Sequence, residues 1–353
     1  MDRRALNRAT LARQFLLARA DLSVPTTVEH LVGLQGQAPD APYVGLWSRL
    51  DGFTPDQLAG PLQARELVRT SAMRATVHLM TARDALRVRP LVEPVLERAL
   101  RSGSPFGKRL VADGVDLAEL AEAGERLLAS RPHSRRELAD ALVRTWPDAD
   151  RDSLSYGVSY LVPSVQVPPR GVWGQSGPPA LVSLRSWLGA PTPGTVDDLV
   201  LRYLGAFGPA TVADIRTWSG LTGLGEVVDR LRPKLWHDGT LLDLPDAPRP
   251  GRDTPAPVRF LPEYDNVLLS HADRSRVNPD GRRVPLPPGN GARRGTVFVD
   301  GDYRADWRID SGGVLSVEPF APLSRAERDD VTAEGLDLLT FVSPEAHHDV
   351  VIA

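Results

Sequence analysis

The stretch TVDDLVLRYLGAFGPATVADIRTWSGLTGLGEVVDRLRPKLWHDG, residues 195–239, follows a Pro/Gly linker and predicts a run of short helices closed by strands. It reads as a helix over 195–206, a short helix over 210–218, a turn at Ser219-Gly220, a helix over 222–235, and a turn at Asp238-Gly239 between short strands. Helix, turn, helix and hairpin in that order is the pattern of a winged helix. The pattern also occurs upstream. A helix is expected over 117–130, the capping box Ser134-Arg135-Arg136-Glu137 opens another reaching Trp146, a third starts at Asp152, and residues 165–173 suggest a wing. Before that come an N-terminal helix, a capping box from Thr26 to Glu29, helices over 43–50 and 54–62, strands within 66–80, and a long helix over 82–100. Three tandem winged-helix units are therefore expected, over 1–110, 111–190 and 191–254, although no repeat is visible residue by residue.

From residue 255 the character changes to β, giving a fourth unit over 255–353 and an α+β class overall. Strands are expected at 258–261, 267–269 and 296–300, the last turning at Asp300-Gly301 into a strand over 303–310. In that strand Tyr303, Ala305, Trp307 and Ile309 share one face and Arg304, Asp306 and Arg308 the other, so it should be half buried. A helix capped by Ser324 and Glu327 and a strand over 349–352 complete the unit.

Composition narrows the function. A chain of 353 residues exceeds the roughly 250 at which single cores stop growing, so several compact units are required. No apolar run approaches the roughly 18 residues of a membrane span, and the N-terminus reads as an amphipathic helix rather than a signal peptide. A soluble, cytoplasmic protein is expected. Cysteine is absent, which removes disulfides, thiolate nucleophiles and cysteine zinc sites. The net charge of −3 is unevenly spread: residues 1–110 carry 16 Lys+Arg against 10 Asp+Glu, whereas residues 191–353 carry 18 against 25. Of 42 cations 40 are arginine, whose fork suits phosphates and base edges. Codon bias in a GC-rich genome gives the same excess, so it does not identify a DNA binder alone.

Familiar catalytic motifs are missing. The segment Gly103-Ser104-Pro105-Phe106-Gly107-Lys108-Arg109 has the wrong spacing for a P-loop, Gly220, Gly223 and Gly225 lack the dinucleotide order, and neither GxSxG nor HExxH occurs. His347-His348 has no third ligand nearby in sequence and reads as a solvated pair. No metal or cofactor is expected.

Against that background stands LVGLQGQAPDAPYVGLWSRL, residues 31–50. This segment, together with Met73-Arg74-Ala75-Thr76-Val77-His78-Leu79, Ala206-Phe207-Gly208-Pro209-Ala210-Thr211, Leu261-Pro262-Glu263-Tyr264-Asp265-Asn266 and Leu269-Ser270-His271-Ala272-Asp273-Arg274-Ser275-Arg276, resembles the AlkZ/YcaQ-like winged-helix DNA glycosylase superfamily along essentially its full length. The resemblance implies a bacterial, nucleoid-associated enzyme with three winged-helix units and a C-terminal β-barrel-like unit around a DNA-binding concavity. It also implies that Gln35 and Gln37 are the catalytic pair. The middle position is Gly36, where the family usually has a larger apolar residue, and this would loosen the backbone and either add room for a bulky adduct or weaken positioning.

Residues at i and i+2 point to one side of an extended segment, so the two amides could converge where a helix ends. A glutamine is no strong base, so the bond it helps to break must need little activation. N7-alkylguanine meets that condition because the cationic base leaves neutral. The expected activity is a monofunctional glycosylase acting, as a monomer, on double-stranded DNA containing alkylated purines. Its Gln-x-Gln form resembles the azinomycin-resistance branch, which implies bulky adducts and interstrand crosslinks as substrates. Candidate DNA contacts are Arg74, His78, Arg170, His271, Arg274 and Arg276; His78 reads more readily as a structural histidine than as a DNA contact, and an ion pair with Asp273 competes for the last three. Glu263 and Asp265 suggest a hydrogen-bonded corner. The competing readings are a non-catalytic winged-helix regulator and a metal-dependent nuclease using those carboxylates.

Overall fold

Six short strands between residues 34 and 183 form one antiparallel sheet in the order β1-β3-β2-β5-β6-β4. They are β1 (Leu34–Gln35), β2 (Leu67–Ser71), β3 (Val77–Thr81), β4 (His133–Ser134), β5 (Ser164–Gln166) and β6 (Ala180–Ser183). Strands from the first two units expected from sequence thus share a sheet, because β2 pairs with β5 through Arg69↔Gln166 and Thr70↔Val165. The computed structural model describes residues 1–284, 294–310 and 312–353.

The downstream unit has helices Val196–Phe207, Val212–Ser219 and Leu224–Leu231, closed by the hairpin of β7 (Trp236–Asp238) and β8 (Leu241–Asp243). Gly220 stops the second of these helices in the left-handed region, φ 78°, with its N–H on Arg216 O at 2.8 Å. A Cβ there would lie 2.6 Å from Val95 Cγ1, so glycine also lets the unit pack closely on the N-terminal one.

The C-terminal sheet runs β13-β12-β11-β10-β9, from β9 (Arg259–Pro262), β10 (Arg294–Val299), β11 (Asp302–Ile309), β12 (Val314–Pro319) and β13 (Asp349–Ile352). The barrel-like unit expected from resemblance is corrected here: the sheet is open, with β9 and β13 at opposite edges. The helix Arg325–Val342 crosses between β12 and β13, makes their pairing parallel, and lays Val331, Leu338, Leu339 and Val342 over Ala305, Trp307, Leu315 and Val317. That covers the apolar face without closure. The same core takes in Tyr43, Trp47 and Phe53 of the N-terminal segment.

Two of the three expected capping boxes and the Asp-Gly hairpin turn form as read. The Ser134 and Ser324 capping boxes form, and Asp300 and Gly301 turn with φ 48° and 81°. Tyr303, Ala305 and Trp307 are buried as alternation requires. Three expectations differ. Ser23 rather than Thr26 caps the helix Val24–His30, whose second position is Pro25. The long helix over 82–100 is broken into Ala82–Val88, Glu93–Arg98 and a π turn Ala99–Gly103, since Pro90 cannot donate a helical hydrogen bond. The strand at 267–269 is a 3-10 turn, Asn266–Leu268, capped by the Asp265 carboxylate on Val267 N at 3.0 Å. Among the described residues no helix is long and apolar enough to cross a membrane.

Candidate active site

After the helix Val24–His30 the chain reverses through Val32 and Gly33, at φ 54° and 94°. A Cβ on Gly33 would sit 2.9 Å from Leu79 O, so this glycine lets β1 come in flush against β3. Gln35 then lies opposite His78, and Gly36 N donates to Val77 O at 2.8 Å. The glutamine pair therefore begins on an extended segment at a sheet edge. Gln35 is buried and Gln37 exposed.

A guanidinium holds Gln35. Arg74, at the tip of the β2–β3 hairpin, donates through Nη2 to Gln35 Oε1 at 2.6 Å and to Asn266 Oδ1 at 2.9 Å, and through Nη1 to Trp218 O at 2.9 Å. Asn266 Nδ2 in turn donates to Gly33 O at 3.2 Å. Three separate parts of the chain thus meet around one amide. A guanidinium only donates, so the Gln35 carbonyl must face it, leaving the amide NH2 available to another acceptor. Burial and the nearby Arg274 lower the Arg74 pKa to about 10, which leaves it charged at neutral pH. Gln37 has a looser tie, its Oε1 accepting from Val77 N at 3.4 Å, and it borders a polar recess of about 140 Å³.

Of the two alternatives for Gly36, added room for an adduct finds no empty space at this position. A Cβ there would meet Arg69 Nη1 at 3.2 Å and Pro42 Cγ at 3.3 Å, and Arg69 Nη2 donates to Gly36 O at 2.7 Å. The room left by the missing side chain is occupied by Arg69, whose own pKa burial lowers to about 10.

The remaining candidates divide by burial. His78 is fully buried, with Nδ1 on Thr76 O at 3.0 Å; burial first, then Arg74, push its pKa to about 3, so the ring is neutral. His271 is equally enclosed, with Nε2 on Phe207 O at 3.0 Å, and burial holds its pKa well below the ordinary histidine value. Arg276 points inward, donating to Pro209 O at 2.8 Å and lying 3.6 Å from Asp214. Its ion pair is with Asp214, while Asp273 accepts from Ser275 N at 2.9 Å. These three side chains are buried and tie elements together. Arg170, which donates to Gly177 O at 3.0 Å, and Arg274 are partly exposed.

The corner at 263–266 forms. Both Asp265 oxygens are held by Arg49 at 2.8 Å in a buried bidentate pair, which removes Asp265 from metal or acid–base work. Glu263, against Trp307 and Arg294 in a small pocket of about 40 Å³, has its pKa pushed up to about 7 by burial. Arg69 and the site role of Asn266 were missed from sequence, because nothing local links either to the glutamines.

The sequence profile of the family described as DNA glycosylase AlkZ-like matches residues 28–341. The solved structure of DNA glycosylase AlkZ from Streptomyces sahachiroi shares the fold, with a TM-score of 0.73 over the whole of both chains at 21% identity. Among curated proteins none matches. With the profile spanning both glutamines, the arginine that holds Gln35 and the Asn266 corner, the chain belongs to the AlkZ-like DNA glycosylase family.

Proposed function

We propose that this DNA glycosylase releases cationic N7-alkylguanine from duplex DNA as a monomeric, monofunctional enzyme, with Gln35 and Gln37 as its catalytic pair and Arg74 as the positioning residue. The observation that carries the reading is the Arg74 hydrogen bond to Gln35 Oε1, two residues before an exposed second amide. Water would accept from Gln35 Nε2 and donate to Gln37 Oε1, with a lone pair directed at the sugar C1′. The C1′–N9 bond breaks with both electrons going to the cationic ring, which leaves neutral. The C1′–O bond forms, and the proton lost from water passes to solvent. The Gln37 carbonyl dipole faces the positive charge that develops on the sugar, the kind of preorganised stabilisation that lowers a barrier without a strong base. The proposal keeps three winged-helix units around a DNA-facing concavity, with Arg170 and Arg274 meeting phosphates.

The Gln-x-Gln form and the open rim beside Gln37 favour bulky N7 adducts, including interstrand crosslinks joined through N7, in resistance to a DNA-alkylating compound. Such an adduct is not readily flipped into a tight pocket. The test compares N7-methylguanine, a bulky N7-guanine adduct and uracil in one duplex context. Release of both guanine adducts and refusal of uracil is expected. Efficient uracil release contradicts the mechanism, and release of the methyl lesion alone removes the bulky-adduct assignment.

A further inference from the structure

We infer that the recess beside Gln37 is a subsite for one backbone phosphate next to the excised nucleotide, with Arg135 as its cation; this rests on the glycosylase reading above. Gln37, Ser71, Arg135, Tyr156, Tyr160 and Gln166 line it, and none of its lining side chains is acidic. The wall is built from the β2–β3 hairpin, the helix Arg151–Leu161 and β5, so it lies where strands of the first two units share their sheet.

Arg135 is held as a flat plate. Its guanidinium carbon lies 3.5 Å from the Tyr156 ring centroid, and Phe106 stacks on Tyr156 at 3.8 Å and 7°. Two groups that close cannot share a face of the ring, so phenylalanine, tyrosine and guanidinium form a three-layer stack. This orders the cation without using its N–H edge. Its neighbours Arg131 and Arg136 face Glu137 and Asp140, whereas no carboxylate or carbonyl among the described residues accepts from Arg135. Burial holds its pKa below the ordinary arginine value, with Asp152 as a partial counterweight. Gln166 adds donors, since its Oε1 is turned to Arg69 at 3.4 Å and its amide NH2 remains. A fixed fork with free donors, a donor-bearing amide and no acid among the lining residues suits a phosphodiester. Gln37 on the same rim sets which phosphate: one adjoining the nucleotide whose sugar the amide faces.

The test uses the full chain and duplexes carrying one tetrahydrofuran abasic analogue, which fixes the register without excision. Each phosphate within three nucleotides on either side is replaced in turn by a neutral methylphosphonate, and Kd is measured for the wild type, Arg135→Gln and Arg135→Lys. The wild type should lose roughly 10- to 100-fold at one phosphate next to the analogue, the scale of a charged hydrogen bond. Arg135→Gln should show that loss on unmodified backbone and no further loss at that phosphate, and Arg135→Lys a smaller loss. An undiminished methylphosphonate effect in both variants overturns the inference. So does a coupling that falls only on phosphates remote from the analogue. Absence of excision together with no preference for the analogue overturns the glycosylase reading itself, and preference for the analogue without coupling overturns only the subsite.

Discussion

Arg74 is a half-buried cation whose described partners are all neutral: one amide carbonyl, one asparagine and one backbone carbonyl. In the proposed mechanism its effect on catalysis passes through Gln35. Arg74→Ala and Gln35→Ala should each slow single-turnover excision by roughly 10- to 1000-fold, and the double variant should be no slower than the worse single one. Multiplying effects would show independent roles. Binding to undamaged duplex should be nearly unchanged in both. Two of the buried histidines, His78 and His271, predict a pH effect on stability. His78 titrates at about 3 when folded and near 6.5 when unfolded, and His271 shifts in the same direction. Above about pH 6.5 both states are neutral; below it the unfolded chain takes up protons that the folded one refuses, so stability falls with pH. Between pH 7.5 and 5.5 His78 should remove about 1.4 kcal/mol, and His271 acts in the same direction. Urea unfolding of His78→Gln should therefore lose about 1.4 kcal/mol less than the wild type over that interval, whatever its absolute stability. An identical pH dependence contradicts the buried neutral ring. The glutamine pair was legible in the sequence, but its partners were not, because residues 35, 74, 218 and 266 are joined only by tertiary folding.

Elements with their own punctuation were readable, and elements defined by partners were not. Capping boxes and the Asp-Gly turn act within four residues, so Ser134, Ser324 and Asp300-Gly301 carried reliable signals. The run Val267-Leu268-Leu269 is fully buried, and burial on all sides gives a turn and a strand the same apolar pattern. The open C-terminal sheet depends on a crossover helix choosing a parallel partner, which alternation within one strand cannot reveal. Gly220 tests element packing directly. Gly220→Ala adds a Cβ at φ 78° facing Val95, and should destabilise the fold by about 1–3 kcal/mol in urea unfolding. An effect near zero would mean that the downstream unit is not seated on Val95 in solution.

Across the whole molecule, the charge asymmetry of the sequence is largely consumed inside it. Arg8 pairs with Asp300, Arg13 with Asp243 at 2.6 Å and Arg49 with Asp265 at 2.8 Å, joining the cationic N-terminal third to the acidic C-terminal third. Arg49→Ala would leave Asp265 buried and unpaired, at a cost of about 3–5 kcal/mol. With Arg135, Arg170 and Arg274 as the proposed phosphate contacts, log K should fall against log salt with a slope of about −2 to −4, corresponding to two to four phosphates. A much steeper slope would mean that a larger basic surface meets the duplex. The central claim, that two neutral amides suffice to release a cationic base, is tested most directly by single-turnover excision of one N7-methylguanine from a duplex in EDTA, scored as alkali-dependent strand scission, for the wild type and Gln37→Ala. The account predicts full activity in EDTA and a roughly 10- to 1000-fold slower Gln37→Ala with unchanged DNA affinity. Loss of wild-type scission in EDTA, or a Gln37→Ala variant as fast as the wild type, would contradict it.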